Sequence, residues 1–207
     1  MTDRTNQRRL YHTTVMDSIP QPEGVLHIAS EPGAGATSLA LQLIRHSLEE
    51  SGRIVWIGRE MPNPDRLSDI FGILPPTALS RFHAGAFGEH ISRGIEQSLD
   101  LIEGLESITY VVIDDWAGVS GKVSSELIQM MNNLIQSCDN KCTLIATSSM
   151  YADATGKDEW KIRGPDIFQQ MWRLRRKHNN SVNRVLEIDN QEIELIPTDC
   201  GFAIHSS

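Results

Sequence analysis

Apolar runs and amphipathic stretches alternate along the first 150 residues of the chain. Val25-Leu26-His27-Ile28-Ala29 is a mainly apolar run, and Thr37 to Ile44 follows with an apolar stripe at helical spacing. Gly52 marks a stop before a second strand, Arg53-Ile54-Val55-Trp56-Ile57. Pro62 and Pro64 break the chain ahead of a short helix at about 64–72, and Pro75-Pro76 break it again. Arg81-Phe82-His83-Ala84 reads as a short strand, and residues 88–105 set Ile91, Ile95, Leu99, Ile102 and Leu105 at helical spacing. Thr109-Tyr110-Val111-Val112-Ile113-Asp114-Asp115 lacks polar alternation, as a strand buried on both faces of a parallel sheet does. A helix over about 123–137, with Val123, Leu127, Met130, Met131 and Leu134 on one face, leads to a last buried strand, Cys142 to Ala146. Such alternation predicts a parallel sheet with helices on both faces.

Beyond residue 150 the rhythm changes. Tyr151 to Pro165 is polar, contains Gly156 and Gly164, and reads as a long loop. Short strands then follow at Met171–Lys177, Arg184–Ile188, Glu192–Ile196 and Phe202–Ile204, with a turn at 178–181. They predict an antiparallel extension at one edge of the sheet. The expected division is a short extension over residues 1–20 and one α/β core over residues 21–207.

Composition changes this picture little. A chain of 207 residues, 40% hydrophobic, can bury one full core. No run approaches the roughly 18 apolar residues of a membrane span. The polar start, Thr2 to Arg9, is followed by no apolar signal core, so a cytoplasmic protein without membrane contact is expected. Cys138, Cys142 and Cys200 form no paired motif, which suits reduced thiols and predicts neither zinc nor haem. Nineteen basic against 27 acidic residues give a charge of −8, against nucleic-acid binding by the whole surface but not by a local basic patch.

The candidate chemistry begins at Ser30-Glu31-Pro32-Gly33-Ala34-Gly35-Ala36-Thr37. A phosphate-binding loop reads G-x-x-x-x-G-K-[ST], its backbone N–H groups cradling phosphate and its lysine reaching the β/γ oxygens. Gly35 and Thr37 fit, Gly33 adds a flexible turn, Ser30 stands for the leading glycine, and Ala36 stands where the lysine belongs. The candidate nucleotide-binding residues are Ser30, Gly33, Ala34, Gly35, Ala36, Thr37 and Ser38, on a strand–loop–helix unit whose helix N-terminus suits an anion. The competing reading is a plain Gly-rich turn. Losing one charge-assisted hydrogen bond of about 1.5–3 kcal/mol weakens binding by roughly one to two orders of magnitude. Hydrolysis should slow further, because the lysine also steadies the transferring phosphoryl group.

Asp114, closing a buried strand, is the expected Mg²⁺ ligand together with the Thr37 hydroxyl; the bland reading is a carboxylate opening a solvated loop. Glu60, ending the second strand in Trp56-Ile57-Gly58-Arg59-Glu60, could orient a water for attack, and strand ends also carry idle charges. Arg59 beside it is the nearest candidate for the missing positive charge.

In that order, these segments resemble the ATPase core of the RecA/RadA recombinase superfamily, and especially short archaeal RadA paralogues of the RadB kind. Glu31 to Leu43 is similar to that family's G-x-x-G-x-G-K-T and following helix, and Ile57-Gly58-Arg59-Glu60 with Pro64-Asp65-Arg66-Leu67 to its catalytic-glutamate strand and P-E-R-L segment. Ala86 to His90, Val112-Ile113-Asp114, Ile145 to Ser149, Arg173 to Lys177 with Arg184, and Ile196 to Gly201 resemble its later motifs. The resemblance spans roughly residues 17–205. It implies a RecA-like P-loop core with a mostly parallel twisted sheet, and ATP with Mg²⁺ as ligands, weakened by Ala36. In the family a glutamine senses the γ-phosphate where Ser149 stands. The stretch before the first strand is too short for the family's N-terminal helical domain, and no polymerisation segment is evident.

The resemblance therefore implies an accessory recombinase paralogue in homologous recombination and DNA repair, a degenerate ATPase that partners a recombinase or another RecA-like paralogue. The alternatives are a regulatory protein of the KaiC or archaellum-ATPase kind, or a genuine weak ATPase. Two loops that face DNA in the family correspond to about 117–124, with Lys122, and 151–164, with Lys157, Lys161 and Arg163. Asp153, Asp158 and Glu159 nearly neutralise the second, so any contact with single-stranded DNA should be weak. Arg173, Arg175 and Lys177 share one strand face and are expected to pair with Glu187, Glu192 or Glu194 across the hairpin.

Overall fold

Each apolar run of the sequence becomes a strand buried on both faces, and each amphipathic stretch a helix laid over one of them. The computed structural model describes residues 18–105, 107–118, 121–152, 160–164, 167–178 and 182–205. The order is β1 (Val25–Ser30), α1 (Ala36–Glu49), β2 (Arg53–Gly58), α2 (Pro64–Phe71), α3 (Pro76–Leu79), β3 (Phe82–Ala86) and α4 (Ile91–Gly104), the last entered through a tight turn at Gly88–His90. Then come β4 (Ile108–Asp114), α5 (Ser125–Cys138), β5 (Thr143–Ser149), β6 (Tyr151–Ala152), β7 (Trp160–Lys161), β8 (Gln170–Arg176), β9 (Arg184–Ile188), β10 (Gln191–Thr198) and β11 (Gly201–Ile204).

Among the described residues, nine strands form one sheet in the order β11-β10-β9-β8-β1-β5-β4-β2-β3. From β8 to β3 neighbours run parallel, and from β8 outward to β11 they run antiparallel. The expected α/β fold is therefore present, with one refinement. β8 belongs to both halves, since it pairs parallel with β1 and antiparallel with β9.

Strand periodicity of two sorts the core into layers. Leu26, Ile28, Ile54, Trp56, Val112 and Ile145 pack with α1, α2 and α3 residues such as Leu39, Leu43, Ile70 and Ala78. Their neighbours Val25, Val55, Ile57, Val111, Ile113 and Leu144 pack on the other face with Ile91, Ile95, Met131 and Leu134 of α4 and α5. Successive residues thus face opposite layers, which is why these strands show no polar alternation in sequence.

Three local expectations need correction. Pro76 opens α3 rather than ending structure, because the first helical turn does not need the proline's missing N–H. The strand before the loop ends at Asp114; Asp115 turns out of it with a left-handed φ of 56°, which aspartate tolerates better than most residues. The segment expected as a loop over 151–165 carries a short antiparallel ribbon, Tyr151 opposite Lys161 and Ala152 opposite Trp160. The expected extension at 1–20 lies almost wholly outside the described residues, and so does Lys157. No described helix is long and apolar enough to cross a membrane.

Candidate functional site

All parallel strands end on the edge where the Gly-rich loop crosses from β1 to α1. Glu31 N–H bonds the carbonyl of Leu174 at 2.9 Å, and Ala34 N–H closes a turn on the carbonyl of Glu31 at 2.9 Å. Gly33 and Gly35 take φ of 72° and 108°, in the region that favours glycine. A side chain at Gly35 would put Cβ 2.8 Å from the Phe202 ring. Helix α1 then starts at Ala36 with no side-chain cap and no carboxylate in its first turn. Its unsatisfied N–H groups and dipole therefore suit an anion.

Across the sheet edge stands Asp114, buried at the end of β4. Thr37 Oγ1 donates to its carboxylate, lying 3.1 Å from both oxygens, and Thr147 Oγ1 lies 2.6 Å from Oδ1. Burial pushes the Asp114 carboxyl above its usual range, opposed by the hydrogen bonds from Thr147 and Thr37. Asp115 Oδ1 is also buried and has no hydrogen-bond partner. A hydroxyl and a carboxylate converging on one point, with a spare carboxylate oxygen beside them, fit a hard cation such as Mg²⁺.

Thr37, Ser38, Glu60, Asp114, Arg66 and Lys122 all line one cavity of about 760 Å³. The other expected loop residues, Ser30, Gly33, Ala34, Gly35 and Ala36, are not part of its lining, and Ser30 and Ala34 are buried. Glu60, expected to end the second strand, lies two residues past it, because β2 stops at Gly58, and is exposed on the cavity wall.

Arg59, expected as the replacement charge, is held by other groups. Its Nε donates to the Asp115 carbonyl at 2.9 Å and Nη1 to the Gly88 carbonyl at 3.3 Å, with the Asp115 carboxylate 3.7 Å away.

Sequence reading assigned no role to several residues that build this site. Arg66 ties α1 to the β10–β11 turn, donating to Ser38 Oγ at 3.0 Å, to the carbonyls of Thr198 and Asp199 at 2.8 Å, and to Gly201 at 3.1 Å. Arg176 and Arg184 brace the loop from the hairpin. Arg176 meets Glu31 through its backbone N–H at 2.8 Å and Nη1 at 2.9 Å, and Arg184 Nε donates to the Ala34 carbonyl at 3.0 Å. Their signal was the basic run itself, but only the paired strands show which face each arginine takes.

Beneath the site His27 Nε2 lies 2.7 Å from Ser148 Oγ and accepts from Trp116 Nε1 at 3.3 Å. Burial lowers its pKa to about 3, so it is a neutral structural residue at physiological pH.

The residues expected on a DNA-facing side fall into two groups. Arg163 lies over the Tyr151 ring at 4.9 Å and donates to the Gly121 carbonyl at 3.2 Å. Tyr151 and Trp160 are exposed on the ribbon that carries Lys161, and Lys122, Tyr151 and Arg163 line a second cavity of about 540 Å³. The strand stripe is instead neutralised as expected: Arg173 lies 3.4 Å from Glu187, Lys177 lies 2.6 Å from Glu194, and Arg175 pairs with Glu192.

No family model matches the chain, and no curated protein matches it. Among solved structures it is similar to the crystal structure of the RadB recombinase, at 21% identity and a TM-score of 0.64, over 86% of this chain and 90% of that one. A likeness at that identity speaks for the fold. The chain has a RecA-like α/β fold, as the RadB recombinase does.

Proposed function

We propose that this chain is a recombinase paralogue that acts as an accessory factor in homologous recombination and DNA repair, and that it binds ATP with Mg²⁺ but turns it over slowly or not at all. One observation carries the reading: the Thr37–Asp114 pair is assembled at 3.1 Å while Ala36 occupies the lysine position of the same loop. The fold shared with the RadB recombinase supports the recombination assignment.

Thr37 and Asp114 would hold the metal, which supplies charge neutralisation at the phosphates. The first turn of α1 would orient those phosphates through its N–H groups. Glu60 would orient a water on the cavity side. No loop side chain stabilises charge on a transferring phosphoryl group, and Ser149 is too short to sense one. Ribbon residues Tyr151, Trp160 and Arg163 offer stacking surface and charge to single-stranded DNA, consistent with weak, salt-sensitive contact. Partnership with a catalytically intact recombinase or another RecA-like core supplies what this site lacks.

The test joins phosphate release, measured with and without single-stranded DNA, to light scattering of the chain alone and mixed with a recombinase from the same cell. Negligible release and a complex with the recombinase are expected. Turnover like that of an intact recombinase, abolished in Asp114→Ala, would make the chain a working ATPase. Indifference to every RecA-like partner would favour the regulatory alternative.

A further inference from the structure

We infer that Lys122 takes over the work of the missing loop lysine: it is the cation that meets the terminal phosphate of a bound nucleoside triphosphate. This inference rests on the nucleotide-binding reading above and adds the residue that makes such binding electrostatically workable.

The argument starts from the charge lining the 760 Å³ cavity. Four carboxylates face it, from Glu60, Glu89, Asp114 and Asp115, against three cations, Arg59, Arg66 and Lys122. A polyphosphate entering such a cavity needs a cation that is not already committed. Arg59 is committed to the turn after β4 through the carbonyls of Asp115 and Gly88 and the carboxylate of Asp115. Arg66 spends its guanidinium on Ser38 and on three carbonyls of the β10–β11 turn. Among the described residues, Lys122 alone of the three makes no hydrogen bond or ion pair.

Lys122 follows β4 by eight residues and lines the same cavity as the metal pair, Thr37 and Asp114. Metal ions in nucleotide sites bridge the β- and γ-phosphate oxygens, so a cation sharing the cavity with that pair is offered the distal end of a polyphosphate rather than the end nearest the sugar. A flexible ammonium with three rotatable donors suits that task, since it acts as a point charge without the fixed fork of arginine.

Lys122 also borders the second cavity, beside Tyr151 and Arg163, so a nucleic-acid backbone is the competing ligand. That surface already has Arg163, stacked on Tyr151, and Lys161. Among the described residues that line it, the acidic cavity has no other uncommitted cation. The balance of charge therefore favours the nucleotide.

The experiment measures Mg·ATP and Mg·ADP affinity by calorimetry for the full chain, Lys122→Ala, Lys122→Arg, Ala36→Lys and the double variant Ala36→Lys/Lys122→Ala. Circular dichroism and thermal melting check that each is folded; an exposed lysine without partners should leave both unchanged. Lys122→Ala is expected to weaken ATP by about tenfold or more, and ADP distinctly less. Lys122→Arg should retain most of the affinity. In the Ala36→Lys background the same deletion should cost markedly less, because two residues that serve one phosphate are not additive.

The outcomes separate cleanly. If the unaltered chain binds ATP and Lys122→Ala binds it equally, this inference falls and the nucleotide reading stands. If single-stranded DNA binding drops in Lys122→Ala while ATP affinity holds, the lysine belongs to the ribbon surface. If no folded variant, Ala36→Lys included, binds any nucleotide, both readings fall together.

Discussion

The two sides of the candidate nucleotide site differ in what they offer a ligand. On the strand-end side, Thr37, Asp114 and Thr147 keep a connected set of oxygens within 3.1 Å of one another's partners. On the loop side the backbone keeps its turn, with Gly33 and Gly35 at positive φ, but the side chain that carries charge is a methyl group. The contrast separates two kinds of information. A loop shape is held by backbone and by what packs around it, here Phe202 beneath Gly35 and Arg176 and Arg184 outside. Charge lives in one side chain, so a loop can have the shape for phosphate without the charge.

The strongest way to break the comparison is to destroy the loop shape while leaving the strand-end oxygens intact. Gly35→Val places a branched side chain at φ 108° and drives Cβ to 2.8 Å from the Phe202 ring. Backbone strain of about 1–3 kcal/mol adds to overpacking of similar size, so roughly 2–6 kcal/mol of stability should be lost. Urea denaturation measures it. A variant as stable as the parent would mean that the loop yields easily and that its turn is not what the surroundings hold.

The converse change spares the loop and removes the carboxylate. Asp114→Asn should abolish the magnesium-dependent part of ATP affinity, since a neutral amide is a poor ligand for a hard cation. Its stability should move the other way. Burial raises the Asp114 pKa in the fold, so the folded chain binds that proton more tightly than the unfolded chain. The stabilising contribution is complete at acid pH and is lost as pH rises from the ordinary carboxylate range through the raised value. Asn carries no such charge. The variant should therefore gain stability relative to the parent at neutral pH, and the gain should vanish as pH falls below the ordinary carboxylate range. Melting temperatures across that pH range give the sign; a neutral-pH loss would show that the hydroxyl bonds from Thr37 and Thr147 outweigh burial.

Placing a charge on the loop sharpens the contrast from the other side. Ala36→Lys should raise ATP affinity by roughly one to two orders of magnitude if the loop keeps a phosphate-cradling shape. Calorimetry with no gain, in a folded variant, would mean that the loop and the strand-end oxygens no longer address the same ligand.

What could be read in advance follows the same division. The strands of the parallel sheet were legible because burial on both faces leaves apolar runs such as Val111-Val112-Ile113, and the loop was legible because its glycines and Thr37 stand at fixed spacing. The pairing of Arg173, Arg175 and Lys177 with glutamates was legible from a period of two. Arg66 and Arg184 were not. Their partners are mostly backbone carbonyls more than 130 positions away, and a carbonyl leaves no mark in a sequence. Nor was the commitment of Arg59, which depends on the left-handed turn at Asp115. Its charge was visible; its neighbours were not.

The smallest predicted effect concerns the brace that keeps the loop in shape. Arg176 pairs with Glu31 at 2.9 Å, where the arginine side chain is 35% exposed and the glutamate 13%. Half-exposed ion pairs contribute little, but removing the arginine side chain leaves a mostly buried carboxylate with the Arg176 backbone N–H and the more distant charge of Arg184 to offset it. Arg176→Ala should therefore cost about 1 kcal/mol, between the values for surface pairs and for buried unsatisfied groups. Glu31→Gln/Arg176→Ala, which removes the stranded charge as well, should recover part of that loss. ATP affinity should fall by less than about tenfold in the single variant, because the brace acts on loop shape and not on the phosphate. A larger drop in affinity than in stability would assign Arg176 a direct hand in binding, and would shift part of the missing positive charge from the cavity to the hairpin.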